Sequence, residues 1–214
     1  PAAGKFSPLI FKLSREDGTQ RLAKIEATLP TGLLAKLAGA GLCSEADIAG
    51  ARSREEPQKG AAELSEPSCP ASSQVGVFDA GAGAGPNPFY TRGRVYLAGP
   101  YKGAPVSVVA IAAAVAGPFD LGTVVNRSAV YLDPESGQGR IVSDPLPAIL
   151  QGVPVDLRSI AVRADRPQFA LNPTSCDEKS FGGATTSTLG QIAPLFERFQ
   201  VGGCENLGFA PKLT

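Results

Sequence analysis

The 214-residue chain has no histidine, no tryptophan and no methionine, and its 20 Lys and Arg are balanced by 20 Asp and Glu. Without histidine there is no Ser-His or Cys-His catalytic pair, no imidazole metal ligand and no imidazole pH switch. A formal net charge of zero lacks the basic footprint of a nucleic-acid binder, so no nucleic-acid partner is expected. The longest apolar run, Val108–Ala116, is too short to cross a bilayer as a helix, so no transmembrane segment is expected. No signal peptide is visible, though Pro1 could follow a cleavage site, and the missing methionine with the opening Pro1 reads as an excised domain, a processed chain or the ordered part of something longer. Nucleotide loops are missing too. Gly81-Ala82-Gly83-Ala84-Gly85 follows a strand but lacks the G-x-G-x-x-G spacing, and Pro86 and Pro88 stand where a helix should start.

What the chain does have is 43% hydrophobic residues, enough for a sizeable core, and 25 Gly and 19 Pro without a fixed period. That punctuation suits many turns between short strands. Four cysteines, Cys43, Cys69, Cys176 and Cys204, stand apart and none forms C-x-x-C, so neither a redox motif nor a zinc knuckle is present. They fit two structural disulfides of an oxidising compartment, against an alternative of four free thiols in a cytosolic core. Three connectivities are open. The local one, Cys43–Cys69 with Cys176–Cys204, is favoured, and chain entropy assigns each loop about 3.5 kcal/mol.

The pattern is β-like over most of the length. Leu9, Phe11 and Leu13 alternate with Ile10, Lys12 and Ser14, and Pro8 marks an edge position or a strand start. Arg21–Leu29 alternates again after the turn Glu16-Asp17-Gly18-Thr19, so the two segments are expected to pair as a hairpin. Leu33, Leu34 and Leu37 have helical spacing, and Ser44 is a good N-cap for a second short helix with Glu45 and Asp47 in its first turn. Ala51–Pro67 is the most polar stretch, a solvated loop or one helical turn bracketed by Cys43 and Cys69. Val106–Val115 reads as a strand covered on both faces. Thr123–Asp133 and Arg140–Asp144 form the clearest hairpin, and Val155–Asp165 needs a bulge near Ser159 to reconcile its two apolar parities. With Phe169–Leu171, Ala184–Leu189 and Phe196–Val201 this gives an all-β, antiparallel sandwich with a short helical, disulfide-tied excursion near residues 31–69. One domain is expected over 1–214: N-terminal strands in 1–30, possible partners in strand exchange; the excursion in 31–69; and the main β body in 70–214.

No motif names a reaction, and no cofactor or metal is expected. Asp133-Pro134-Glu135 could open a calcium loop, but Gly137 and Gly139 occupy the next ligand positions, so a hairpin turn is expected. Acidic neighbours Glu16-Asp17, Glu55-Glu56 and Asp177-Glu178 fall in turns or loops, which leaves a glycosidase-like carboxylate pair the weakest functional reading. Phe89, Tyr90, Tyr96 and Tyr101 cluster about one strand and offer a small glycan- or partner-binding patch, with core packing expected for Phe89 and Tyr96. Asn126-Arg127-Ser128 is a glycosylation sequon inside a strand, usable only on an outward face. The ends matter as well. The Leu9, Phe11 and Leu13 face and the apolar close Phe209-Ala210-Pro211-Lys212-Leu213-Thr214 suit a module in a longer chain or a subunit that donates a strand to its neighbour, and on strand content they suit equally an ordinary domain whose own terminal strands pair internally.

The segments LPTGLLAKLAGAGLCSEADI, CPASSQVG, PNPFYTRGRVYLAGPYKGAP, VAGPFDLGTVV, SDPLPAILQGVPVDLRSI and RPQFALNPTSC resemble modules of large, poorly characterised secreted surface proteins of high-GC bacteria. The resemblance covers most of the chain and carries no known active site, so it transfers no catalytic residue. It implies an exported, β-rich structural or adhesive role. The expectation is a non-enzymatic module of an extracellular or cell-surface protein, self-associating or joined to neighbouring modules, as the repeating subunit of a fibre built by strand donation through Leu9, Phe11 and Leu13. A glycan- or surface-binding adhesive module is the alternative.

Overall fold

Alternation along the first strand, β1 (Leu9–Ser14), turns Leu9, Phe11 and Leu13 to a half-buried face and leaves Ile10, Lys12 and Ser14 exposed. It is followed by β2 (Leu22–Thr28), β3 (Leu34–Ala35), α1 (Glu45–Arg52), α2 (Gly60–Ser65), β4 (Gln74–Ala82), β5 (Phe89–Ala98), β6 (Val106–Ala116), β7 (Phe119–Leu132) and β8 (Gly139–Ser143). The chain continues with β9 (Ile149–Leu150), β10 (Val153–Pro154), β11 (Leu157–Ala164), β12 (Ala170–Leu171), β13 (Lys179–Ser187) and β14 (Ile192–Phe199). The computed structural model describes residues 1–212. Leu213 and Thr214, the last two residues of the apolar C-terminal pattern, lie outside the described residues.

Ten strands join in one sheet in the order β1-β11-β4-β5-β6-β7-β8-β2-β13-β14, each pair antiparallel. The fold is all-β with a helical excursion, and β9–β10 and β3–β12 form two small ladders of their own. So many twisted strands cannot stay flat. Register shifts in the β11–β4, β4–β5, β6–β7 and β2–β13 pairings add local bends, and the sheet curls. The shift between Leu157 and Ser159 is the bulge that the two apolar parities of this strand require.

The curl gives the sheet an inner and an outer face. On the inner face Leu9, Phe11 and Leu13 stand opposite Ala164, Val162 and Ile160. Val162 and Phe78 continue into Val95, Leu97, Val106 and Val108, with Ala40 and Phe169 laid against them. Gly93 is required there, because a Cβ would collide with the Phe78 ring. On the outer face Tyr96, Ala98, Val109, Ile111 and Val125 pack under Ile48, Ala51 and the Cys43–Cys69 disulfide. β6 is thus covered on both faces, as its Val- and Ala-rich run implies.

The excursion forms by local rules. Ser44 caps α1, accepting from the Asp47 N–H at 3.1 Å while Asp47 accepts from the Ser44 N–H at 3.0 Å, a reciprocal capping box. Lys59 gives α2 no side-chain cap. Asp120 does so from across the chain, accepting from the Gly60 and Ala61 N–H groups at 2.9 Å each. Cys43 donates its N–H to the Leu97 carbonyl at 2.8 Å and pins the excursion to β5.

Two expectations change. β1 and β2 are not a hairpin: β1 pairs with β11 at one end of the sheet, while β2 lies between β8 and β13 near the other. Alternation fixes which face each strand buries but not which strand it neighbours. Leu33, Leu34 and Leu37 do not form a helix. The stretch between Gly32 and Gly39 is too short to repay helix nucleation, and β3 pairs with β12 instead, Lys36 N–H donating to the Phe169 carbonyl at 2.8 Å.

Candidate interaction surface

Arg127 on β7 is 4% exposed, which is rare for a charge unless every donor is satisfied. Its guanidinium forms a two-pronged pair with Glu45 of α1, at 2.9 and 2.8 Å, and its Nε donates to Ser107 Oγ at 3.0 Å. The Tyr101 ring lies 4.2 Å from the guanidinium carbon. Hydrogen bonding to Arg127 holds the Glu45 carboxyl below its usual range. Glu63 is 3% exposed and accepts from Arg54 at 2.8 Å and from the Ser68 N–H at 2.9 Å. The Arg127–Glu45 pair fastens the excursion to the sheet, and the Arg54–Glu63–Ser68 cluster braces the excursion internally. Composition gave no sign of them, because an Arg that pairs internally looks like any surface Arg in sequence.

The aromatic positions separate. Tyr96 is 1% exposed beneath the excursion, where burial pushes its hydroxyl pKa up. Tyr101 is half-buried, its hydroxyl donating to Asp144 at 2.7 Å. Phe89 and Tyr90 are exposed rather than packed in the core, at the start of β5 beyond the reach of the excursion. The four do not form one patch.

Asn126 faces inward on β7, and its amide nitrogen donates to the Asp144 and Pro145 carbonyls at 3.3 and 3.1 Å. A glycan on that nitrogen would have to replace both bonds. Asp133 Oδ1 accepts from the Glu135 and Ser136 N–H groups at 3.2 and 2.7 Å, which makes it the anchor of the β7–β8 turn. The acidic neighbours are engaged locally: Asp17 with the Gly85 N–H, Glu56 with Lys59, Glu178 with Arg198. Among the described residues no three His, Cys, Asp or Glu side chains are grouped to hold a metal ion. No helix there is long and apolar enough to cross a membrane.

The sheet has two terminal strands, and the curl brings them to the same place. A cleft of about 380 Å³ is lined by Leu13 of β1, Leu157 and Ile160 of β11, Thr185 of β13, and Ile192, Ala193 and Leu195 of β14. Leu13 opposes Ile160 and Thr185 opposes Ala193, so the apolar lining is the inner face of the sheet where its two ends approach, with the outward-facing Ile192 at its margin. Arg15, Arg21 and Arg158 stand at its rim, with Arg15 paired to Asp156 and Arg158 to Asp17. The neighbouring N–H of Gly85 and the Arg158 charge hold the Asp17 carboxyl low.

β14 is the more exposed terminus. Ser187 N–H donates to the Gln191 carbonyl at 2.8 Å and Gly190 N–H to the Ser187 carbonyl at 3.0 Å, a three-residue loop with Gly190 at φ 82°. From that pair, antiparallel alternation turns the backbone groups of Ala193, Leu195, Glu197 and Phe199 toward β13, and those of Ile192, Pro194 and Phe196 toward the open edge. Pro194 therefore costs the ladder nothing and removes one donor from the free edge. Outside, Leu189, Ile192 and Phe196 are 77%, 72% and 69% exposed. The signal for this edge lay in Ile192–Phe199, where apolar residues fall on both parities about a proline.

The structure places Leu9, Phe11 and Leu13 on the opposite terminal strand, turned inward and paired with β11 of the same chain. Cys43 joins Cys69 and Cys176 joins Cys204, with Cα separations of 5.1 and 5.9 Å. The first disulfide sits in the core, and the second ties the start of β13 to the segment after β14. The chain matches no known family model, no curated protein and no solved structure.

Proposed function

We propose that the chain is a non-enzymatic structural module of an extracellular or cell-surface protein, and that it assembles with copies of itself or with neighbouring modules through the two ends of its sheet. The observation that carries this reading is the pair of terminal strands facing one apolar cleft. Each terminal strand presents a row of unpaired backbone groups along its outer side. β1, with Leu9, Phe11 and Leu13 already turned into the inner face, accepts or exchanges a strand on one side. β14, with Leu195 inside and Ile192 and Phe196 outside, does so on the other. The curled sheet, with its ends facing across an apolar interior, is read as a sandwich whose hydrogen bonding runs unbroken round one side.

Two disulfides fit an oxidising compartment, which supports the extracellular placement. Buried charges serve the fold, which supports a structural rather than a catalytic role. The aromatic residues are dispersed, which favours self-association over a glycan-binding patch. Sedimentation of the native protein at rising concentration, followed by electron microscopy, tests the reading. Concentration-dependent oligomers or filaments are expected. A monomer at all concentrations, with isolated particles on the grid, would sink it.

A further inference from the structure

Beyond the cleft, one segment of the chain is apolar, alternating and joined to no strand. After the 3₁₀ turn Cys204–Asn206, residues 207–212 form no secondary structure and are exposed throughout. Leu207 and Phe209 fall on one parity with Gly208, Ala210 and Lys212 on the other, the two-residue period of a strand. Phe209 is 93% exposed, the most exposed large apolar side chain described. A phenylalanine left wholly in water is stabilised by burial, and among the described residues nothing covers it.

The position of this segment matters. Leu207 lies against Gly4, and the chain just before it is held to the N-terminus, Ala3 N–H donating to the Gly202 carbonyl at 2.9 Å. It therefore leaves the molecule beside the start of β1. The cleft lies at the other end of β1, at Leu13 and Arg15. One copy thus displays an apolar strand-like segment at one end and an apolar cleft with two open edges at the other.

We infer that the segment Leu207–Lys212 of one copy docks as an added strand in the β1/β14 cleft of the next, with Phe209 buried against Leu13, Ile160 and Leu195. This rests on the self-association proposed above and names its donor and acceptor. The occupant is a second copy because the same chain carries both unpaired halves at opposite ends. A head-to-tail contact of this kind is heterologous: each added copy offers a fresh donor and cleft, which builds a filament unless the rotation between copies closes a ring. Main-chain bonds to the open edges supply affinity, and the alternate apolar residues set the register. Pro211 lacks an N–H and can sit in an added strand only with its nitrogen turned from the accepting edge.

Two substitutions at exposed positions test this without disturbing the fold. Phe209→Asp blocks the donor and leaves the cleft intact; Ala193→Arg blocks the cleft and leaves the donor intact. By sedimentation, each alone is expected to weaken self-association by about tenfold or more, with Tm unchanged. Mixed together, they are expected to form a 1:1 dimer that goes no further, because one free cleft meets one free tail. Unweakened assembly of both variants overturns this inference and leaves the self-association reading standing. Wild-type protein that never assembles overturns both. A monomer whose Tm falls on Phe209→Asp means the tail closes on its own chain, which also overturns the inference.

Discussion

The middle of the sheet and its two ends are built from the same kinds of residue and reach opposite states. Over β5–β7, the excursion covers the outer face and the curl covers the inner one. Val109, Tyr96 and Ile111 are buried to within 2%. Along β14, only Leu195 and Phe199 are even half-buried. The difference is a matter of cover and not of hydrophobicity, since Ile192 and Phe196 are as apolar as Ile111 and Val109. A polar, charged insertion is what makes the middle a core. Its buried Glu63 is paired with its own Arg54, and its exposed Glu45 pairs with the buried Arg127 of β7, so that it can lie on apolar strands without leaving a bare charge beneath it.

The largest break in this contrast is expected at Arg127. Arg127→Ala leaves Ser107 Oγ without its Arg127 donor, empties a buried site and frees α1 from the sheet, while the exposed Glu45 carboxylate stays in water, and a loss of about 2 kcal/mol is expected by chemical denaturation. A loss below about 1 kcal/mol, the worth of an exposed pair, would show that the excursion is held by packing and the disulfide alone.

A smaller effect is expected at Asp120. Asp120→Ala removes the cap of α2 and should cost about 1 kcal/mol. Burial raises the Asp120 pKa, but the N–H groups of Ala61, Gly122 and Gly60 outweigh it and hold the carboxyl below its usual value. A carboxyl lowered on folding contributes stability above the ordinary carboxylate range and loses it as pH falls through the native value. Wild type should therefore lose stability in acid faster than Asp120→Ala. Parallel stability curves for the two proteins below pH 4 would refute this. At the ends of the sheet the expected effect nearly vanishes: Phe196→Ser should change stability by no more than about 0.5 kcal/mol, measured as Tm on isolated monomer. A loss like that at a core position would mean that this face is covered in the monomer.

Much of the middle was legible in the sequence. The almost wholly apolar Val106–Val115 run announced a strand covered twice, Ser44 announced α1, and the spacing of the cysteines favoured the pairing found. What was illegible was partnership. Alternation in β1 and β2 marked faces, but nothing in either segment says that one meets β11 and the other β13. Arg127 and Glu63 gave no warning, because burial of a charge depends on what lies over it. The cleft was hidden for the same reason. Leu13 and Leu195 stand far apart in the chain and line one cavity only because the sheet curls.

The strand order has a consequence for how the chain comes to be folded. β4 to β8 are neighbours in sequence and in space, a meander that forms by short loop closures. β1 precedes the other strands described, yet Leu9 has no partner until Ala164 exists, and β2 has its second partner only when β13 follows. The central meander is therefore set to form early, and the N-terminal strands join late. An apolar segment that must wait for most of its own chain is exposed longest while the protein is being made, and under the self-association proposed above that interval is when a neighbouring copy would take its place.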